Sequence, residues 1–426
     1  MSFFLRRKPH PREEEMKSLR KLLVATTAIC SLTAGAFATD LEVTHWWTSG
    51  GEAAAVAEMA KAFNAGGDNW VDGAIAGSSG VARPIIISRI IGGEPMGATQ
   101  LNHGREAEEL IEAGLLTDLT ELAEAEGWRD IVNPSKLLDA CTLDGRIYCV
   151  PVNIHSAQWI WLSHAAFEKA NTPVPTNWDE FVAAGPALRE AGIVPLAMGQ
   201  QSWQTNLAFG TLAVALVTPE IWNAVNVDKD AEVAAGPEYA KVFEAFAVAR
   251  GLSEGSNVQD WNQATNMVIT GTAGAQIHGD WAQGEFQVAG QVAGEDYSCL
   301  PGLGVNEVLD TGGDAFYFPV LDDPDQKAAQ LRLASTLISK EVQVAFNLKK
   351  GSLPIRGDID LSTANDCMQK GLKILADGKV LPTGNILFTR DTINQIDDLM
   401  VEFWNDTSIT PEEVQAGYAK IIASAD

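Results

Sequence analysis

At 426 residues, with 46% hydrophobic and 20% charged side chains, the chain can form one large domain or two medium lobes and is too apolar for wholesale disorder. Its formal net charge is −26, and it becomes −30 without residues 1–38, which carry seven Lys/Arg and three Asp/Glu. So acidic a chain repels phosphate backbones, which argues against a nucleic-acid partner; solubility is the plainer use of the charge.

The N-terminus reads as a leader. Lys17, Arg20 and Lys21 precede an apolar run, Leu22 to Thr33, that ends in Ala36-Phe37-Ala38, a small-residue cleavage signal. The run is too short to span a bilayer, so cleavage after Ala38 and a periplasmic mature protein are expected. Met16 is an alternative start to Met1. Ile29 before Cys30 is too bulky for a lipoprotein signal, so Cys30 is read as part of the discarded leader.

Leu41 to Trp47 then reads as a strand, and Ser49-Gly50-Gly51-Glu52 as a capping box opening a helix with Val56, Met59, Ala60 and Phe63 on one face. Trp46 and Trp47 therefore fall at a strand's C-terminal end beside a helix N-terminus, where open α/β sheets bind ligands. Arg105–Ala113 reads as a helix and Cys141–Val152 as a hairpin. A helix opens near Thr176, and a buried strand follows over Ile193–Met198. A further strand, Ala273–Ile277, leads into Gly279-Asp280-Trp281. Asp325–Leu348 reads as one long amphipathic helix, and a mainly helical segment runs on from Ser362. The alternation predicts an α/β architecture with substantially parallel sheets.

Beyond the leader four cysteines remain, an even number that suggests two disulfides in an exported chain. Asp144-Gly145 is a hairpin signal, and a three-residue loop centred on Gly145 would set Cys141 opposite Cys149. Cys299 with Cys367 follows by elimination. No spacing suggests a metal site, and no HExxH, Walker or GxGxxG motif or nucleophile signature occurs, so neither metal, cofactor nor catalytic group is expected.

Twelve Trp against five Tyr is the compositional oddity. An indole offers a flat apolar face that can stack on the C–H face of a sugar while carboxylates, amides and Lys bond the hydroxyls. For any single Trp, core packing is the safer reading, but Trp46, Trp47, Trp261 and Trp281 all sit near element ends beside polar residues. Glu52 could equally complete its capping box, Asp280 and Asp314 could cap turns, and Lys350 could be a solvated helix-end charge.

These stretches together resemble the solute-binding proteins of carbohydrate ABC importers, the glucose/mannose-binding type. The residues that carry the resemblance are Thr44-His45-Trp46-Trp47-Thr48-Ser49-Gly50-Gly51-Glu52, Asp144 through His155, Trp261-Asn262-Gln263-Ala264, Gly279 through Phe286 and Phe346 through Arg356. The resemblance implies a two-lobed periplasmic-binding-protein fold of type II, with a ligand cleft and three hinge crossovers. It places one lobe at 39–153 plus 314–352 and the other at 154–313 plus 353–426. It puts Trp46, Trp47 and Glu52 on one wall, with polar contacts from Gln100 and Asn102, and Trp261 and Trp281 opposite. Asp280, Asp314 and Lys350 complete the set, and Asn153 and His155 fall in the first crossover as hinge residues.

Glucose-binding relatives tend to carry His where this chain has Asn102, and a second such His falls at Asn385. Asn keeps a donor and an acceptor but loses the ring, so the resemblance points to a related hexose, a glycoside or a small disaccharide. It further implies a monomer that hands its sugar to an ABC-type permease in the inner membrane. Two other readings share the same residues: a secreted glycosidase using Glu52, Asp280 or Asp314, and a tryptophan cage for a quaternary ammonium solute, which Lys350 would repel.

Overall fold

In a computed structural model, the described residues are 38–426. The expected leader, with Met16 and Cys30, lies outside them apart from Ala38.

Among the described residues the strands, in chain order, are β1 (Asp40–His45), β2 (Asn69–Ala74), β3 (Ala98–Asn102), β4 (Thr142–Leu143), β5 (Arg146–Ile147), β6 (Cys149–Pro151), β7 (Trp159–Ser163), β8 (Val194–Ala197), β9 (Ala273–His278), β10 (Tyr297–Pro301), β11 (Leu309–Thr311), β12 (Asp314–Tyr317) and β13 (Val380–Pro382). Two sheets organise the molecule into two lobes. One has the order β2-β1-β3-β12-β6 and the other β10-β7-β9-β8. A core around Leu41, Val43, Phe316 and Phe346 packs on the first sheet. A second core, around Phe167, Leu196, Phe209 and Phe246, packs on the other.

Both sheets are mixed, where the sequence predicted largely parallel ones. β1 runs parallel to β2 and β3, and β8 to β9, but β12 and β7 run antiparallel to both their neighbours. The reason lies in the connections. The chain enters β12 from the opposite lobe, so it arrives at the cleft edge of its sheet and runs away from it. A strand fed by a local helix would run the other way.

Three passages join the lobes side by side. Ile154 and Leu353 exchange backbone hydrogen bonds of 2.7 and 3.0 Å, and His155 and Gly312 exchange two of 3.1 Å. The helices Gly50–Ala65 and Ala282–Val288, each following a strand of a different sheet, meet at Gly51 and Gly284. A Cβ on Gly51 would fall 2.4 Å from the Gly284 carbonyl carbon, so only glycine permits this approach. The Glu285 carboxylate accepts the Gly51 N–H at 2.7 Å.

Two local expectations need correction. The Asp325–Leu348 helix is two helices, Pro324–Ile338 and Lys340–Lys350. Ser339 leaves the helical region (φ −62°, ψ 152°) and its hydroxyl caps the second helix, a capping role that apolar periodicity does not register. The hairpin loop has two residues, since Leu143 faces Arg146 and both Asp144 and Gly145 have positive φ, as a type I′ turn requires. Cys141 thus stands opposite Tyr148, one residue short of Cys149, yet their Cα atoms are 5.1 Å apart and the disulfide forms. Cys299 and Cys367, with Cα atoms 5.9 Å apart, form the second. Among the described residues no helix is long and apolar enough to cross a membrane.

Candidate ligand-binding site

A continuous cavity of about 350 Å³ opens between the lobes. Its walls come from strand ends. Trp46 and Trp47 follow β1, Asn102 ends β3, Asp314 begins β12 at the same edge, and Trp281 lies just beyond β9.

Trp47 is wedged by Phe316 and Phe346, with ring centres 5.7 and 5.2 Å away. Across the cavity, Trp261 stacks on His278 (5.1 Å, 17° between planes), and the Trp281 indole N–H donates to His278 Nε2 at 2.7 Å. Burial, aided by Lys350 and His155, pushes the His278 pKa down to about 3, so the ring is neutral and accepts this bond. Gly279 has no Cβ because one would lie 2.0 Å from the Trp281 ring. Trp47, Trp261 and Trp281 are thus each held by neighbouring side chains.

The polar residues form two ionic clusters. Lys350 Nζ and Glu52 Oε1 are 2.6 Å apart, with side chains only 2% and 9% exposed. Lys350 is therefore not a solvated helix-end charge. Glu52 also accepts the Ser49 hydroxyl at 3.2 Å, while the Ser49 side chain accepts the Glu52 N–H, so only half of the expected capping box forms. His155 bridges the lobes: Nδ1 lies 2.7 Å from Asp280 Oδ1, beyond β9, and Nε2 2.7 Å from Asp314 Oδ2 on β12. Burial alone would lower the His155 pKa, but the two carboxylates raise it to about 9. Burial alone would raise Asp314, and His155 with Lys350 instead holds it well below the usual carboxylate range.

Of the expected contact residues, Trp46, Trp47, Glu52, Asn102, Trp261, Trp281, Asp314, Lys350 and Asn385 line the cavity, as does the expected hinge residue His155. Gln100, Asn153 and Asp280 stand behind the wall. Gln100 accepts the Trp46 N–H at 3.0 Å and donates to Asp314 at 2.7 Å. Asn153 donates to Asp314 at 2.9 Å and accepts its N–H at 2.7 Å. Asp280 spends its second oxygen on the Ser156 N–H and hydroxyl. Expected as a direct contact, Asp280 instead fixes His155, because burial leaves its carboxylate no other cation.

Sequence reasoning missed Trp203, Asp310, Arg390 and the Ser78-Ser79-Gly80 turn with Arg83, all of which line the cavity. Trp203 sits 5.4 Å from His278 and 6.2 Å from Trp281, completing an aromatic cluster. The Ser78 turn could have been found, since it opens a helix just after β2, which runs parallel to β1. Arg83 pairs with Glu106, and Arg390 lies 3.6 Å from Asp397. Burial raises Asp310 to about 6, even though it accepts the Ala157 N–H.

Residues 47–343 match the family described as bacterial extracellular solute-binding protein. The chain belongs to that family. This solute-binding protein is 36% identical over 374 residues to a probable sugar-binding periplasmic protein of Brucella melitensis biotype 1 (strain ATCC 23456 / CCUG 17765 / NCTC 10094 / 16M), spanning 85% of this chain and 87% of that one. Its fold is shared with a chitin oligosaccharide binding protein (TM-score 0.73, 19% identity, 90% of this chain and 98% of that one). The same holds for a maltose-bound MalE3 of T. maritima (TM-score 0.66, 16% identity, 91% and 100%).

Proposed function

We propose that this solute-binding protein captures a small neutral sugar outside the cytoplasm and delivers it to an ABC-type permease in the inner membrane. The observation that carries the reading is the pairing of fixed indoles on both walls, Trp46 and Trp47 against Trp261 and Trp281, with Asp314, Glu52 and Lys350 between them. Flat apolar faces with charged hydrogen-bonding groups at their edges match the two kinds of surface a pyranose presents. The relatives named for sugar binding support it.

The lobes, taken as 39–153 plus 314–352 and 154–313 plus 353–426, close about the crossovers. Only in the closed form do both walls touch the ligand, so binding shifts the hinge equilibrium. Asn102 and Asn385 set a preference for a hexose of the glucose/mannose group other than glucose, for a glycoside or for a small disaccharide. The protein works as a monomer, without cofactor or metal. Capture is favoured over glycoside hydrolysis because His155, 2.7 Å away, holds Asp314 well below the usual carboxylate range, which opposes the protonated carboxyl a general acid needs, while Glu52 is committed to an ion pair with Lys350 at 2.6 Å.

Intrinsic tryptophan fluorescence of protein freed of ligand by unfolding and refolding tests this. A saturable change with one class of neutral sugar, lost in Trp281→Ala, is expected. Silence across neutral mono- and disaccharides with a response to betaine would replace the reading by a cation cage.

A further inference from the structure

The cavity does not end at the indoles. It continues into the lobe of the four-stranded sheet, between the helices Ser202–Leu216, Pro219–Asn226, Pro237–Leu252, Arg390–Asn405 and Pro411–Ser424. Phe209, Trp222, Tyr239, Phe388, Ile396 and Tyr418 line this inner chamber, and all are buried from bulk solvent. All five helices belong to the same side of the hinge, so lobe closure does not fill the space.

The wall holds a conspicuous gap. Gly210 lies within the Ser202–Leu216 helix and lines the cavity, and a Cβ built on it meets no atom within 4 Å. A helix gains from Ala over Gly, and a packed core gains from filling a void, so an open glycine position here costs stability twice. The polar side chains on its walls are largely spent on one another: the Asn206 amide donates to Asp397 at 2.7 Å, and Arg390 lies 3.6 Å from the same carboxylate. The Asn226 amide already donates to Trp222 O at 2.9 Å and to Tyr239 Oη at 3.1 Å. A sugar hydroxyl placed here would lose its water partners and regain few. An apolar group would lose nothing.

We propose that the cargo is a glycoside bearing a compact apolar aglycone. Its sugar lies between the tryptophans and its aglycone occupies the chamber beside Gly210. The inference rests on the sugar reading above and narrows it to a substrate class. Burial of an aromatic or short alkyl aglycone should strengthen binding by about tenfold or more, since each buried methylene is worth roughly a factor of four.

The test is calorimetric titration of the refolded protein with glucose, galactose and mannose and with their phenyl glycosides. For the sugar that binds, its phenyl glycoside should bind at least about tenfold tighter. Gly210→Leu, which fills the chamber, should remove that advantage while leaving the free sugar within about twofold. Gly210→Ala should narrow it partway and serves if circular dichroism shows the Leu variant unfolded. A free sugar that binds as tightly as its phenyl glycoside, with Gly210→Leu changing neither, overturns the aglycone chamber and leaves the sugar reading standing. No binding of any sugar or glycoside removes both.

Discussion

The His155 ring touches charged groups from both lobes, so its removal should be felt by the whole molecule. Raising its pKa from 6.5 to about 9 on folding corresponds to about 3 kcal/mol of stability at low enough pH. The sign follows from proton binding. Between pH 6.5 and 9 the folded state holds a proton that the unfolded state has lost, so stability falls as pH rises through that window. The contribution is whole below pH 6.5, about half gone near pH 8 and absent above about 9.5. His155→Gln keeps hydrogen-bonding groups near Asp280 and Asp314 but never charges. Urea unfolding of both proteins, monitored at pH 6, 7, 8, 9 and 9.5, gives the comparison. The stability gap should shrink by about 3 kcal/mol across the series. A gap that stays flat over that range would refute the ionic bridge.

Other expectations follow from the same structure. Lys350→Met leaves the Glu52 carboxylate buried and alone, so unfolding of unliganded protein should cost about 3–5 kcal/mol less, while Lys350→Met with Glu52→Gln recovers most of it in a double-mutant cycle. Additive single effects would contradict the pairing. Removing the Cys299–Cys367 bridge, which closes 68 residues, should lower stability by about 4 kcal/mol. The eight-residue Cys141–Cys149 bridge should cost about 2–3 kcal/mol, both measured by denaturation under non-reducing conditions. Gly51→Ala places a Cβ against the Gly284 backbone and should hold the helices apart, weakening sugar binding about tenfold or more in calorimetry at a stability cost of about 1–3 kcal/mol. Unchanged affinity would show that this contact is not needed for closure. On the acid side, His103 and His278 are held neutral by burial, at about 4 and about 3. Stability should therefore fall as pH drops below 6.5, and chemical denaturation at pH 5 should show it.

Strand-then-helix order near residues 41–63 was legible because two signals agree there: a short apolar run and a capping serine at the helix start. The same agreement located Trp46, Trp47 and Trp281, since strand ends are where side chains can face a cleft. The direction of β12 was not legible, because a crossover from the other lobe leaves no local periodicity. Ser339 shows a related blind spot. The apolar pattern carries on through a break that a single hydroxyl makes possible. Gln100 and Asp280 were expected as contact residues and Asn153 as a hinge residue, and all three are polar for a different reason. Each satisfies a buried backbone group or charge that the contact residues bring with them. Trp203 was missed because it lies one residue inside a helix, where an aromatic reads as core packing. Its partners, His278 and Trp281, are supplied only by folding.

Native mass spectrometry of the exported protein, before and after unfolding and refolding, tests the central claim most directly. The account predicts a single non-covalent adduct with the mass of a small hydroxylated solute. Refolding should remove it, and adding back one class of neutral sugar or glycoside should restore it stoichiometrically. Refolded protein that takes up no neutral sugar or glycoside at any concentration tested would contradict sugar capture.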